Sequence, residues 1–452
     1  MVRCYDDWLP IAPETYSTVF SAELEAWLAA QGTAEEKEDR DRFIGKFQQI
    51  TGPVAAKGTE DTALYIYNRL VSLNEVGSDP RVFGVDPAAV HDWMARRRCD
   101  WPTALSATLT HDAKRGEDVR ARLNVISELP GLWKAMVAEW RAHNRRRKTD
   151  VEGRPAPGAN EEYLLYQTLV GAWPFETDDE TAHRFRERVV AYMIKALREA
   201  KVHTGWLSPD ERYEKAVTRF VESILDRRPG NPFLQSFMPF QARIADLGIY
   251  NSLSQLLVKM TVPGVPDFYQ GSELWDLNQV DPDNRRPVDY RKRAELLSGL
   301  KASASADAAR ELMEGRRDGR IKLFTIAQTL ATRAQMRGVY ERGDYLPLTA
   351  VGSRHECVFA FARRDEHAVA LTCVPRLVAA LTPDGTAQPP LGDAALGDTR
   401  LELPPGLPSH AFRDAFTGAT SRIEDVGGVP TIAAAEIFAT LPIALLISSP
   451  AD

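Results

Sequence analysis

The densest array of chemically able groups in this sequence is the run His111 to Arg122, HDAKRGEDVRAR, in which Asp112 follows a histidine and precedes Lys114 and Arg115. A carboxylate flanked by fixed positive charge stays ionised at neutral pH. Held in place, it can accept two sugar hydroxyls or stabilise a developing oxocarbenium ion. The same residues also fit a helix start, with acids in the first turn and an exposed ion-pair ladder beyond. Spacing alone leaves both readings open.

A second cluster spans residues 48–62, followed by Tyr65, Tyr67, Asn68 and Arg69. Lys57 beside Glu60 and Asp61 gathers donors and acceptors suited to orienting a polyol. Neither phosphate-cradling glycine pattern is present. The plain alternative is a strand-to-helix loop capped by Thr59. A third cluster, residues 262–276 with 281–289, holds Tyr269, Gln270, Glu273 and Trp275. Carboxylates and amides bond vicinal hydroxyls, and an aromatic ring lies against the apolar face of a pyranose. Such proline-rich aromatic loops also serve as rigid packing between domains. His203 and Trp206 either line a pocket or close a helix end. The other histidines, His91, His143, His183, His355, His367 and His410, share no metal-ligand spacing, and no GxSxG elbow occurs. No metal, no cofactor and no hydrolase-type nucleophile are therefore expected.

The elements that must position these groups fall into three textures. LSATLT at 105–110 reads as a strand ending at the polar cluster, as in parallel α/β sheets whose C-terminal strand ends face a ligand crevice. From about 129 to 260 the pattern is helical: Trp133, Val137 and Trp140 form one stripe, Val189, Met193 and Leu197 another, and Tyr213, Val217, Phe220 and Ile224 a third. Residues 145–160 read as a polar loop whose RRRK run is solvated. Residues 260–271 carry a short strand, and a helix follows near 291–301. Beyond about 320, residues 357–362 and 368–374 read as neighbouring strands, and 438–447 is a terminal apolar run. An antiparallel β-sandwich buries such strands.

Composition fits packed domains: 452 residues, 44% hydrophobic and 26% charged. Lys plus Arg total 56 against 63 for Asp plus Glu, a net charge of -7, so no global basic field favours nucleic acid. Four scattered cysteines, Cys4, Cys99, Cys357 and Cys373, are expected reduced and buried. No apolar run approaches the roughly 20 residues of a membrane span, and the first residues show no targeting pattern. A cytoplasmic protein with no membrane partner is the expectation.

FQQITGPVAAKGTEDTALYIYNRL at 47–70, LNEVG at 73–77, THDAKRGEDVRARLNVISELP at 110–130, EYLLYQTLVGAWP at 162–174, KVHTGW at 201–206 and VPGVPDFYQGSELWDLNQVDPDNRRPVDY at 262–290 carry a resemblance. The sequence resembles the C-terminal portion of the maltooligosyl trehalose synthase family, in the α-amylase-like glycoside hydrolase clan. That resemblance implies the C-terminal part of a (β/α)8 TIM barrel with helical insertions and a C-terminal antiparallel β-sandwich. The divisions would be late barrel strands at 1–128, a helical insertion at 129–250, the last barrel strand and helix at 251–318, and the sandwich at 319–452.

It also implies an intramolecular transglycosylation that turns the reducing-end α-1,4 bond of a maltooligosaccharide into an α,α-1,1 bond, without cofactor. On this likeness Asp112 is the third catalytic carboxylate and His111 donates to the same sugar. Lys57, Lys114, Arg115, Glu60 and Asp61 surround the reacting rings. Tyr269, Gln270, Glu273 and Trp275 shape the pocket that retains glucose. Ala113 and Gly116 replace the family's usual Thr and Ser, which predicts a looser loop. The likeness begins beyond the fifth barrel strand, so the nucleophilic Asp and the acid/base Glu have no counterpart. An open barrel edge exposes apolar surface. The expectation is a chain inactive alone and completed by a separate polypeptide supplying the first five strands. The rival expectation is a non-catalytic saccharide-binding remnant.

Overall fold

The computed structural model describes residues 26–27, 32–176, 178–300, 305–382, 388–407 and 411–448; Cys4 and His410 lie outside them. Helix α1, Ala34–Ala55, starts at a capping box in which Thr33 and Glu36 exchange hydrogen bonds, and it continues into a π-helical segment, Ala56–Ala63. Thr59 sits inside that segment and caps nothing, so the expected strand-to-helix loop is instead helical. Helix α2, Pro87–Asp100, is capped by Asp86 and has proline at its first turn. It lies on the surface with no buried residue, which leaves Cys99 exposed rather than buried; Cys357 and Cys373 are buried thiols.

Strand β1, Leu105–Ser106, is shorter than the expected six residues. Its parallel partner offers only two positions, Val265 and Pro266, bounded by Gly264 at φ +123°. Helices α3 (Glu117–Ile126) and α4 (Pro130–Asn144) follow. The polar loop expected at 145–160 contains a hairpin, β2 (Thr149–Val151) with β3 (Arg154–Ala156), turned by Glu152 and Gly153, both at positive φ. The basic run before it is only half solvated. Arg145 and Arg146 are exposed, while Lys148 pairs with the buried Glu162 at 2.7 Å and Arg147 donates to Asn231 Oδ1 at 2.9 Å.

Helices α5 (Ala159–Ala172), α6 (Asp179–Ala200), α7 (Glu211–Ile224) and α8 (Pro232–Thr261) build the main core. The three stripes read from periodicity all face it; of their members only Val137 remains half-buried. Trp140, fully buried, packs its ring 5.3–5.9 Å from Trp133, Tyr166, Phe233, Phe237 and Phe240. Helix α8 continues across position 250, so the segments expected on either side share one helix.

After strand β4, Val265–Pro266, come α9 (Tyr290–Gly299), α10 (Ala306–Glu314) and α11 (Arg320–Gln335). The C-terminal part is a nine-stranded antiparallel sheet: β5 (Asp344–Val351), β6 (Val358–Arg364), β7 (Val369–Pro375), β8 (Arg400–Glu402), β9 (Ala411–Asp414), β10 (Thr420–Arg422), β11 (Glu424–Val426), β12 (Val429–Ala433) and β13 (Ala444–Ser448), in spatial order 10-9-13-7-6-5-8-12-11. β5 bonds to β6 through residues 344–348 and to β8 through residues 349–351. The two expected layers are thus joined through one shared strand, and Leu348, Leu371, Leu401 and Ile432 from both sides meet in a second core.

The close approach of α3 and α8 explains Gly248. A Cβ there would lie 2.5 Å from Arg122 Cγ and 2.8 Å from its Cα, which is backbone and cannot yield. Gly248→Ala should therefore destabilise the chain by about 2 kcal/mol, read as a lower urea midpoint at unchanged m-value.

Candidate functional site

Beyond β1 the chain runs through Thr108 and Thr110 into a tight turn that ends at α3. The Ala113 amide donates to Thr110 O at 3.3 Å, and the Asp112 amide reaches Thr110 Oγ1 at the same distance. Asp112 is half-buried, and its carboxylate accepts no hydrogen bond from the described residues. His111 exposes its ring, while its carbonyl accepts from Asn284 Nδ2 at 3.1 Å.

Asp61 joins this turn to the second sequence cluster. It accepts from Lys57 Nζ at 2.6 Å and from Lys114 Nζ at 3.0 Å. Burial works to raise the Asp61 carboxyl, but the two ammonium groups prevail and hold it below the usual range. Lys57, exposed, is held above the ordinary lysine range by its bond to Asp61, with Glu199 and Asp112 adding to the field. Glu60 turns away and accepts the Gly77 amide at 3.1 Å. Glu75 accepts the Lys114 amide at 2.8 Å and faces Arg120.

The cations expected to flank Asp112 therefore do not pair with it. Lys114, 3% exposed, is committed to Asp61; Arg115, also 3% exposed, donates to Tyr192 Oη at 2.5 Å and Val71 O at 3.4 Å. Adjacency in sequence did not become adjacency in space because the turn sends successive side chains to different sides.

The third cluster lies behind the same turn. Tyr269 is half-buried and Gln270 exposed. Glu273 pairs with Arg293 at 2.8 Å, and Arg293 also donates to Gly271 O. Trp275 donates its indole N–H to Arg316 O at 2.9 Å and packs against the main core. The loop they belong to grips the Asp112 turn: Gly116 N–H donates to Asn278 O at 2.8 Å, and Arg115 bridges Gln279. Gly116 does not loosen the turn, contrary to expectation. A Cβ there would collide with Asp276 Oδ1 and lie 2.6 Å from the Asp276 carbonyl, so the missing side chain is what lets the two segments close together.

Beneath lies a buried charge cluster that sequence reasoning missed. Lys322 of α11, 0% exposed, bridges Glu117 at 2.6 Å and Asp118 at 2.8 Å and donates to Leu274 O at 3.1 Å. Lys259 of α8 donates to Thr108 Oγ1 and Asp267 O at 3.0 and 3.1 Å. The Asp276 amide donates to Asp118 Oδ2 at 2.6 Å. Burial alone would raise Glu117; Lys322 and Lys259 overcome it and bring its carboxyl to about 2. Burial works against charge on Lys322, yet Asp118 and Glu117 keep its ammonium above the ordinary range. Asp276, buried with no direct cation, is pushed up to about 6. The available signal was a lysine inside each of two apolar helical runs, LLVKMT and IKLFT.

The arrangement presents an unengaged carboxylate, an exposed imidazole and a lysine-aspartate-lysine chain on one braced turn. Such a set can accept and donate hydrogen bonds to a polyol. No group of three metal-ligand side chains exists among the described residues. His203 lies tilted against Tyr213 with ring centroids 4.6 Å apart near Glu161, and Trp206 lies exposed under Arg198. A cavity of about 340 Å³ between α6 and α8, lined by Trp173, Phe185, Leu234 and Met238, includes none of the candidate site residues. No described helix is long and apolar enough to cross a membrane.

No family model matches the chain. Maltooligosyl trehalose synthases from two strains of Mycobacterium tuberculosis are 36% identical to it over 440 residues, 97% of this chain and 49% of theirs. The solved maltooligosyltrehalose synthase of Arthrobacter ramosus aligns with TM-score 0.72 and 33% identity over 89% of this chain and 46% of that one. A maltooligosyl trehalose synthase structure from Sulfolobus tokodaii aligns with TM-score 0.67 and 31% identity over 92% and 48%. The chain spans about half the length of the curated relatives it matches.

Two outcomes test the buried cluster. Lys322→Met leaves Asp118 without a cation and Glu117 with only Lys259, and should cost about 3–5 kcal/mol in a denaturant titration, much of it recovered when both acids are also made amides. Asp276 carries a folded-state pKa of about 6 against an ordinary 3.8. Its contribution is therefore complete below the lower value and is lost as pH rises through the upper one. Asp276→Asn should melt above the parent at pH 8 by up to about 3 kcal/mol and show no such gain at pH 4; a gain confined to acid pH would refute the assignment.

Proposed function

Because the chain belongs to the maltooligosyl trehalose synthase family, with relatives about twice its length, we propose that it is the saccharide-holding half of such an enzyme, working on maltooligosaccharides. In this reading β1 and β4 are late strands of a (β/α)8 barrel, with Asp112 and the Tyr269 to Trp275 segment beyond their C-terminal ends. The divisions at 1–128, 129–250, 251–318 and 319–452 are then barrel strands, helical insertion, last barrel strand and C-terminal sheet, with α8 crossing the second boundary. A cytoplasmic location accompanies this role.

The observation that most supports the reading is the Asp112 carboxylate, half-buried and unengaged, on a turn braced from three sides. Asp112 holds hydroxyls of the sugar being transferred and opposes its developing positive charge. His111 and Lys57 donate to neighbouring hydroxyls. Lys114, Asp61 and Glu60 set the position of Lys57 and the adjacent loop, and Arg115 fixes the turn from behind. Tyr269, Gln270, Glu273 and Trp275 shape the wall that keeps the released glucose in place.

The nucleophilic Asp and the acid/base Glu belong to the half of the relatives that this chain does not span. The nucleophile bonds to the anomeric carbon as the acid protonates the departing glycosidic oxygen; the retained glucose then turns and its anomeric hydroxyl displaces the nucleophile from that carbon, giving its proton to the now ionised Glu. A stabilising carboxylate does not substitute for those two groups. The isolated chain should give no maltooligosyl trehalose from maltopentaose. Combined with the complementary half of a relative it should give product, and Asp112→Asn should lower that turnover by at least about 1,000-fold while assembly persists. Unchanged turnover in the variant would remove Asp112 from the mechanism.

A further inference from the structure

We propose that Trp206, on the loop between α6 and α7, is a stacking platform for a glucosyl unit of the maltooligosaccharide toward its non-reducing end, away from the bond that reacts. The identity of the sugar rests on the preceding reading; the position and rigidity of the ring do not.

Trp206 is 53% exposed, and the Arg198 guanidinium lies 5.0 Å from the centre of its ring. Arg198 is in turn gripped by both oxygens of Glu214, at 2.8 and 2.7 Å. Glu214, 7% exposed, also accepts Thr204 Oγ1 at 2.7 Å, and Thr204 Oγ1 accepts the Asp210 amide at 2.9 Å. Asp210 caps α7 through the Arg212 and Tyr213 amides. The end of α6, the loop and the start of α7 are thereby clipped together, with a fixed cation against the indole. No hydrogen bond and no other ring contact engages Trp206 among the described residues. An aromatic surface held in this way suits the apolar face of a pyranose.

The loop also starts in the right place. Helix α6 ends at Lys201, whose φ of +56° lies in the left-handed region where glycine is the relaxed choice. A lysine there supplies a bond that glycine lacks: its Nζ donates to Thr62 Oγ1 at 2.8 Å, and Thr62 Oγ1 donates to Lys57 O at 2.7 Å. Glu199, at the end of α6, and Asp112 both act on the Lys57 ammonium. Trp206 follows Lys201 by five residues, at most about 18 Å of extended chain. The ring therefore stands near the edge of the Asp112 site.

The retained glucose is a single enclosed unit. Only the rest of the oligosaccharide extends outward, and an exposed ring serves that part. Val202 and Leu207 are exposed on the same loop, as they would be in a contact with protein. Arg198, Lys201, Asp210 and Glu211 border it, however. Charge is depleted at the core of protein interfaces, whereas sugar hydroxyls bond to it.

The test titrates this chain with maltoheptaose and maltotriose by calorimetry, and measures turnover of both sugars after adding the complementary half of the Arthrobacter ramosus synthase. Maltoheptaose should bind the chain saturably and more tightly than maltotriose. Trp206→Ala should weaken maltoheptaose binding and raise its KM about fivefold at unchanged kcat, while maltotriose stays within about twofold and circular dichroism is unchanged. Trp206→Phe should recover most of the loss, and Trp101→Ala, at an exposed indole elsewhere, should affect neither sugar. No saturable binding of maltoheptaose, equal losses for the two sugars, or indifference to Trp206→Ala overturns the platform even where Asp112→Asn abolishes turnover. Weaker assembly of the two halves in Trp206→Ala, at unchanged affinity for sugar, also overturns it and assigns the loop to the protein partner. Binding that depends on Trp206 without any product leaves the platform standing and overturns the catalytic reading instead.

Discussion

Everything near Asp112 depends on an ammonium group with no access to water. Lys322 reaches from α11 into a space closed by α3 and the segment after β4, and satisfies two adjacent acids and a carbonyl. Those acids occupy the first turn of α3, where the helix dipole already favours negative charge. Taking these charges out of water is expensive, and the arrangement holds because Lys322 and Lys259 each engage several oxygens at once. Its effect is to fix three chain segments, distant in sequence, at a common point. The turn bearing Asp112 leads directly into that first turn of α3 and takes its position from that point together with its own bonds to Asn284, Glu75 and Asn278.

Periodicity made the helical half of the fold legible. The stripes through Trp133, Val189 and Tyr213 each needed only apolar spacing, because the helices that carry them bury one face against a common core. The strands at 358–364 and 369–375 were equally plain, being continuous apolar runs broken by a charged turn. What sequence did not reveal depended on partners. β1 was overestimated because its length is set by β4, and residues 145–160 hid a hairpin because its Glu-Gly turn is one residue away from the usual Asn-Gly or Asp-Gly signal.

The site divides the same way. Asp112, His111, Lys57 and Asp61 were visible as polar clusters, and Asp61 does bring two of the clusters together. Arg115, equally prominent in sequence, is turned inward toward Tyr192. Lys259 and Lys322 were overlooked because each lies inside an apolar helical run, where residue type suggests packing; Asp276 stood within the third cluster but is buried rather than facing solvent. Gly116 carried the opposite lesson: a residue that seemed to remove an interaction instead permits a close approach.

The shared strand β5 makes the C-terminal sheet indivisible. Since one strand supplies ladder bonds to both flanks, cutting the chain anywhere between 352 and 399 and discarding the C-terminal piece strips β5 of at least one neighbour, discarding the other piece removes β5 itself, and either loss opens the second core to water. This unit should therefore melt as a single block, and a protease that nicks an exposed connection within it would leave two pieces still held together. Any shortened version of the protein meant to stay soluble must keep the sheet whole and be trimmed elsewhere.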